Sequence, residues 1–179
     1  MSEILTYTGI MIDPVNPDPE LIEIRDIAHS LSLMCRANGH FPTFYSVGQH
    51  CINCAREAAA RGYSRRVQLG CLIHDASEAY MADVTRPVKK ELPRYLEIEE
   101  PLQNLIFEKY LSSPLTEEEH RLVFLIDDHI LEHEFLELMK YPLAPETPAL
   151  SSQPVFEFMG FENCENQFLA LFRELTETE

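Results

Sequence analysis

The sequence predicts an all-α fold: one domain over residues 1–179, built as a bundle of about six helices behind a short N-terminal hairpin or extended arm. Apolar residues recur at spacings of three and four from residue 24 onward, capping residues and Gly or Pro stops bracket those segments, and strand–helix alternation is absent. At 179 residues the chain can bury a sizeable core, but two full domains do not fit.

Residues 1–20 mix a β-like run, Tyr7 to Ile12, with Asp and Pro turn pairs and form the arm. Helix one is expected from Ile24 to Asn38, with Ile27, Ala28, Leu31, Met34 and Cys35 on its apolar side and Gly39 ending it. Ser46 and Gln49 have the form of a capping box, and Gly62 stops the segment they open, so helix two spans about 47–61. Ser64 caps a third helix whose body, VQLGCLIHDASEAYMA, is apolar on nearly every side and is therefore expected at the centre. A fourth helical region covers about 90–111, with Pro93 near its start and a kink at Pro101. Thr116 and Glu119 form a second capping box before a long amphipathic helix with Val123, Ile126, Ile130, Leu131 and Leu138 inward, ending at Tyr141-Pro142. Prolines 142, 145, 148 and 154 define a loop over 141–160. Cys164, Phe168, Phe172 and Leu175 mark a last helix, 161–179, placed as a lid or brace with apolar surface to offer a subunit interface.

The composition, 45% hydrophobic and 25% charged with no long apolar run and no charged-then-apolar leader, is that of a soluble cytoplasmic protein with no membrane partner. Five cysteines in apolar helical patterns read as reduced thiols. The net charge is −16, and residues 95–179 hold 19 acids against 4 bases. Stable binding of duplex nucleic acid, which rests on clustered Lys and Arg, is not expected. Eight of the fourteen bases lie between Arg56 and Arg94, which leaves room for a local site for a small phosphate-bearing ligand.

The third helix carries His74, Asp75 and Glu78 within one turn of each other in an apolar setting. Buried charge of this kind needs a partner, and a divalent cation held by imidazole and carboxylate satisfies all three together. His50 and Asp127 are polar groups on stripes that should face inward, so they are the further ligand candidates. Rivals exist. His29 is read as a core histidine on a backbone carbonyl, His40 as a loop residue within touch of substrate, and His129 and His133 as solvated; Asp128 adjoins Asp127. Arg86 and Lys89 could form a plain basic turn, and Arg36 could serve only the C-terminal end of its helix. The Cys51–Cys54 pair lacks the second ligand pair of a structural zinc site and is read as buried thiols.

The order His50, His74-Asp75, Asp127 resembles the H…HD…D pattern of the HD-domain metal-dependent phosphohydrolases. The stretches DIAHSLSLMCRANGH, FYSVGQH, HDASEAYMADVTRPVK and DDHILEHEFLELM are similar to its 5′-deoxynucleotidase (YfbR-like) branch, over roughly residues 5–140. The resemblance implies metal ligands at His50, His74, Asp75 and Asp127, with Glu78 as the catalytic carboxylate. It also implies Asp83 and Lys89 on sugar and phosphate, Arg36 on the phosphate, one divalent ion (Zn, Co, Mn, Fe or Mg), and homo-oligomers. Relatives often carry an aromatic residue directly after that arginine; here it is Ala37. The implied activity is hydrolysis of deoxyribonucleoside 5′-monophosphates. Removal of triphosphate from deoxynucleoside triphosphates is the alternative, for which Arg86 and Lys90 could supply extra cations. A non-catalytic metal- or nucleotide-binding regulatory module is the rival of another class.

Overall fold

The computed structural model describes residues 3–177, so the first two residues of the expected arm and the last two of the expected final helix lie outside it. The arm is a hairpin: β1 (Ile4–Leu5) pairs antiparallel with β2 (Met11–Ile12), Ile4 opposite Ile12. Tyr7, expected within a strand, lies instead in the turn and stacks on His29 at 3.6 Å between ring centroids. Seven α-helices follow: α1 (Ile24–Leu33), α2 (Val47–Ala60), α3 (Arg65–Ile73), the single turn α4 (Arg86–Lys89), α5 (Pro93–Leu111), α6 (Glu117–Met139) and α7 (Phe161–Thr176). Three-residue-per-turn segments lie at Arg36–Gly39 and Ala76–Tyr80. No helix among the described residues is long and apolar enough to cross a membrane.

Local signals set several boundaries as expected. Ser46 accepts the Gln49 amide at the start of α2, Gly62 follows α2 with φ 73°, and Thr116 and Glu119 complete a reciprocal capping box on α6. α5 runs on through Pro101 to Leu111. Other boundaries move. α1 ends at Leu33 rather than Asn38, because Cys35 pairs as a β-bridge with Ser46 and the Met34 carbonyl accepts the Val47 amide. The box at Ser46 is half formed, since the Gln49 side chain turns away to the carbonyls of Val155 and Glu157.

α2, with eleven of its fourteen residues buried, shares the centre with α3, the helix expected there, which packs against α2, α5, α6 and α7. α6 and α7 each lie against both; α1 crosses α2 and α7. The α1–α2 approach is close enough that a Cβ on Gly48 would meet the Leu31 carbonyl carbon and the Ser32 nitrogen at 3.1 Å. The apolar residues form one cluster from Ile12 to Leu175. Side chains such as Ile52, Leu72, Ile126 and Phe168, each fully buried, contribute about 1.5–3 kcal/mol apiece. Leu131 and Leu138 are only half buried. α7 is a brace, with Cys164, Phe168 and Leu175 inward.

One face of α2 is polar yet buried. Gln49, Asn53 and Glu57, four residues apart, receive the 149–157 stretch of the Pro-rich loop: Asn53 exchanges bonds with Val155 in both directions, and Arg61 reaches the Ala149 carbonyl. Glu57, with no exposed surface, accepts the Ser151 amide (2.9 Å), the Ser152 amide (2.8 Å) and hydroxyl (2.6 Å), and Arg61 Nε (2.7 Å). The loop is therefore a strap held to α2. Burial alone would raise the Glu57 carboxyl, but these donors outweigh it and bring it to about 2.

Its ionised form thus stabilises the fold in full above the ordinary carboxyl value of 4.5, and that contribution is lost as pH falls toward about 2. Glu57→Gln is expected to lower stability at pH 7 by about 1.5–3 kcal/mol, the scale of a charged hydrogen bond. In denaturant titrations the gap from wild type should narrow between pH 4.5 and about 2; a gap independent of pH contradicts the assignment.

Candidate metal centre

The expected continuous third helix is broken at the residues that matter. In an uninterrupted helix the Ser77 amide would bond to the Ile73 carbonyl. Here the Gln103 side chain of α5 stands between them: its Oε1 accepts the Ser77 amide at 3.0 Å and its Nε2 donates to the Ile73 carbonyl at 2.9 Å. Helical geometry stops there, with His74 as the cap of α3 and Asp75 at φ −102°, ψ 16°. The tighter turn that follows eclipses positions three apart, so Asp75 and Glu78 project together.

The break, α2 and α6 bring four side chains to one point. His50 Nε2 lies 3.1 Å from Asp127 Oδ1, 3.3 Å from His74 Nε2 and 3.9 Å from Asp75 Oδ2. His74 Nε2 lies 3.3 Å from Asp75 Oδ2 and 3.8 Å from Asp127 Oδ1. Donors held about 2.0–2.2 Å from a single ion at tetrahedral angles stand about 3.3–3.6 Å apart, so the cluster has the dimensions of a ligand set.

The backbone and a buried acid orient both rings. His50 Nδ1–H donates to Glu134 Oε1 at 2.6 Å, and His74 Nδ1–H donates to the Cys71 carbonyl at 2.8 Å; neither acceptor can donate back. A neutral ring therefore turns its Nε2 lone pair toward the other ring and two carboxylates, an arrangement that calls for positive charge between them, either a proton on Nε2 or a cation. The electrostatics agree. Burial lowers the His74 pKa, yet Asp75 and Asp127 raise it well above the ordinary imidazole value. Burial raises Asp127, but bonds from His50 and His74 hold it well below the usual carboxylate range. Asp75 is depressed likewise, His74 overcoming burial.

Cys51 and Cys54 are buried, as expected, and come within reach of the cluster: Cys54 Sγ is 3.4 Å from His50 Nε2. Burial pushes the Cys51 thiol up to about 11 and Cys54 well above its ordinary value. Protonated thiols are poor ligands, and Asp75 and Asp127 complete the set better.

Beside the cluster opens a cavity of about 400 Å³. All three residues implied for substrate line it, Arg36, Asp83 and Lys89, as do Glu78 and Arg86; Lys90 and His40 are exposed and do not. Glu78 is 5% exposed, its Oε2 has no hydrogen-bond partner, and burial followed by Asp75 and Asp83 raises its pKa well above the usual carboxyl value. Lys89 Nζ is 2.7 Å from Glu99 and 3.6 Å from Glu78. Arg36, beyond the end of α1, turns inward: Nε bonds Glu134 at 2.8 Å, and its terminal nitrogens lie 3.5 Å from Asp75 and Asp127. Arg86 bonds Asp127 Oδ2 and Asp128 Oδ1.

Three histidines depart from expectation. His29 pairs with Glu165 at 2.9 Å rather than a backbone carbonyl, and His129 and His133 are held by Arg61 and the Pro148 carbonyl rather than solvated. Glu134 has no role assigned from the sequence although it lies on the same face of α6 as Asp127, two turns on; the inward-stripe criterion that selects Asp127 selects it too. Nothing local marks Gln103.

No family model matches the chain. It is 40% identical over 117 residues to the uncharacterized protein YfdR of Escherichia coli (strain K12), covering 64% of this chain and 62% of that one. It is 37% identical over 101 residues to an uncharacterized protein of Rhodobacter capsulatus, covering 53% of this chain and 51% of the relative. The matched segments thus span between half and two thirds of these relatives.

Glu134 is fully buried between Arg36 and His50, so its removal leaves Arg36 Nε and His50 Nδ1 without acceptors. Glu134→Ala is expected to destabilise the protein by about 3–5 kcal/mol, the scale of breaking a buried pair. Urea titration in excess chelator measures this apart from metal binding, and a loss below about 1 kcal/mol contradicts the role.

Proposed function

We propose that the protein is a metal-dependent phosphohydrolase of small nucleotides, acting on deoxyribonucleoside 5′-monophosphates to give nucleoside and phosphate. The observation that carries the proposal is the convergence of His50 Nε2, His74 Nε2, Asp75 Oδ2 and Asp127 Oδ1, with the Nδ1 of each ring already engaged and its Nε2 turned to one point. Two imidazoles and two carboxylates suit Zn, Fe, Co or Mn, and Mg with added waters. When bound, such an ion acidifies water and offsets charge developing on a phosphoryl oxygen. The cluster uses the residues expected to hold the ion in HD-domain phosphohydrolases, which the sequence resembles.

The chain's own groups supply the rest. Glu78 Oε2, buried and without a partner, is free to hold or pass a proton at the attacking or leaving oxygen. Arg36, Lys89 and Arg86 line the same cavity and place three cations around the phosphoryl position, which an otherwise acidic chain needs there to hold a dianion. Asp83 lines the same cavity and is the acceptor proposed for a sugar hydroxyl. Ala37, Val84, Leu131, Phe135 and Leu143 also line it and offer apolar surface to a base. A volume of about 400 Å³ is near the small end for small-molecule sites and suits a mononucleotide. Triphosphate removal is the second reading, favoured by Arg86 but not by Lys90, which lies outside the cavity.

The test is product release after chelation and reloading with Mn, Co, Zn or Mg, across deoxy- and ribonucleoside mono- and triphosphates. Inorganic phosphate from deoxynucleoside monophosphates is expected. Glu78→Gln is expected to lower kcat by about 10²–10⁴-fold with metal content unchanged. A loaded protein that turns over none of these compounds sinks the proposal, and a Glu78→Gln variant of undiminished rate removes Glu78 from it.

A further inference from the structure

The three cavity cations differ in how firmly they are held. Arg36 has a side chain 11% exposed and is fixed on fully buried Glu134; Lys89, 21% exposed, is held by Glu99. Arg86 is 51% exposed, and its guanidinium forks across two adjacent carboxylates of α6. One branch reaches Asp127 Oδ2, on the far side of the carboxylate from the His50–His74 cluster; the other reaches Asp128, whose side chain is 52% exposed and does not line the cavity. An ion pair that open to water is weak and readily exchanged. Pro87 restrains the backbone beside it, leaving the long side chain as the mobile part.

We propose that Arg86 is an exchangeable phosphate clamp. It rests across Asp127 and Asp128 when no anion is bound, and it gives up both carboxylates to take the non-bridging oxygens of a bound phosphoryl group. The planar fork that now spans two carboxylate oxygens matches two phosphoryl oxygens equally well, and a dianion is the stronger partner. Positive charge taken up at Asp127 Oδ1 weakens the pull of that carboxylate on Arg86, so occupation of the cluster favours the exchange. Asp128 acts as the competitor that holds the clamp open. This inference rests on the phosphohydrolase reading and adds to it the exchange by which one of its three cations sets affinity for the anion.

Calorimetric titration of the metal-loaded protein with inorganic phosphate tests it. Arg86→Ala is expected to weaken phosphate binding about 10- to 100-fold, and Arg86→Lys to recover only part of that. Asp128→Asn, which removes the competitor, is expected to tighten binding about 2- to 5-fold. In the double variant the Asp128→Asn gain should vanish, which separates exchange from a general loss of negative charge. Unchanged phosphate affinity in Arg86→Ala overturns the clamp, as does an Asp128→Asn gain that persists without Arg86. Loss of bound metal in Arg86→Ala, with unchanged phosphate affinity per loaded site, makes Arg86 a brace for Asp127 and also overturns it. Wild-type protein that holds metal but takes up no phosphate overturns the phosphohydrolase reading itself.

Discussion

The candidate centre depends on a single amide inserted in a helix. Gln103 occupies the gap between the Ile73 carbonyl and the Ser77 amide and satisfies both, so the break leaves neither backbone group without a partner in the core. A continuous helix would turn about 100° per residue and leave His74, Asp75 and Glu78 staggered over an arc of about 100° on one face. With the ladder opened, the short turn Ala76–Tyr80 aligns Asp75 with Glu78, and His74, at the end of α3, faces His50. α5 thereby fixes a geometry to which it contributes no ligand.

Concentrating this much charge in the interior is tolerable only because nearly every group has a partner. Glu134 bonds both His50 and Arg36, Arg36 lies within 3.5 Å of Asp75 and Asp127, and Arg86 closes the outer side of Asp127. Such clusters seldom add net stability over an apolar core, because desolvation of the charges offsets their attraction. Their presence here accords with the chemistry proposed above better than with a role in folding alone. Among the described residues, the one buried carboxyl oxygen of the cavity without a partner, on Glu78, is the group that a reaction would use.

What the sequence made legible follows from range. Ser46, Gly62, Thr116 and Pro142 act on their own neighbours, and the ends they mark for α2 and α6 lie within a residue or two of those observed. His50 and Asp127 were legible because each is a polar residue on a stripe that must face inward. Glu134 satisfied the same criterion and was legible in principle. The end of α1 was not, because it is set by the bridge between Cys35 and Ser46, eleven residues apart. Nor was the break after Ile73, whose cause lies on another helix. The buried polar stripe of Gln49, Asn53 and Glu57 was visible as a pattern, but its partner is a proline-rich strap with no periodicity to announce it.

The wall of the cavity next to Arg36 is built under strain. Ala37, Asn38 and Gly39 take φ of 53°, 50° and 74° in succession, a left-handed turn that costs a non-glycine residue about 1–2 kcal/mol. Two bonds from Arg36 hold it: the side chain is anchored on Glu134, and the backbone amide bonds the Tyr45 carbonyl across the loop. Relaxing the turn would swing the chain that carries Arg36, so the anchor and the strain oppose each other, as is common where backbone lines a functional cavity. A left-handed position also tolerates a small side chain best, and Ala37 presents only a methyl group to the cavity. Phe135 and Leu143 line the same cavity, so under the proposed nucleotide reading a base would meet that apolar wall and not an aromatic ring from the arginine loop.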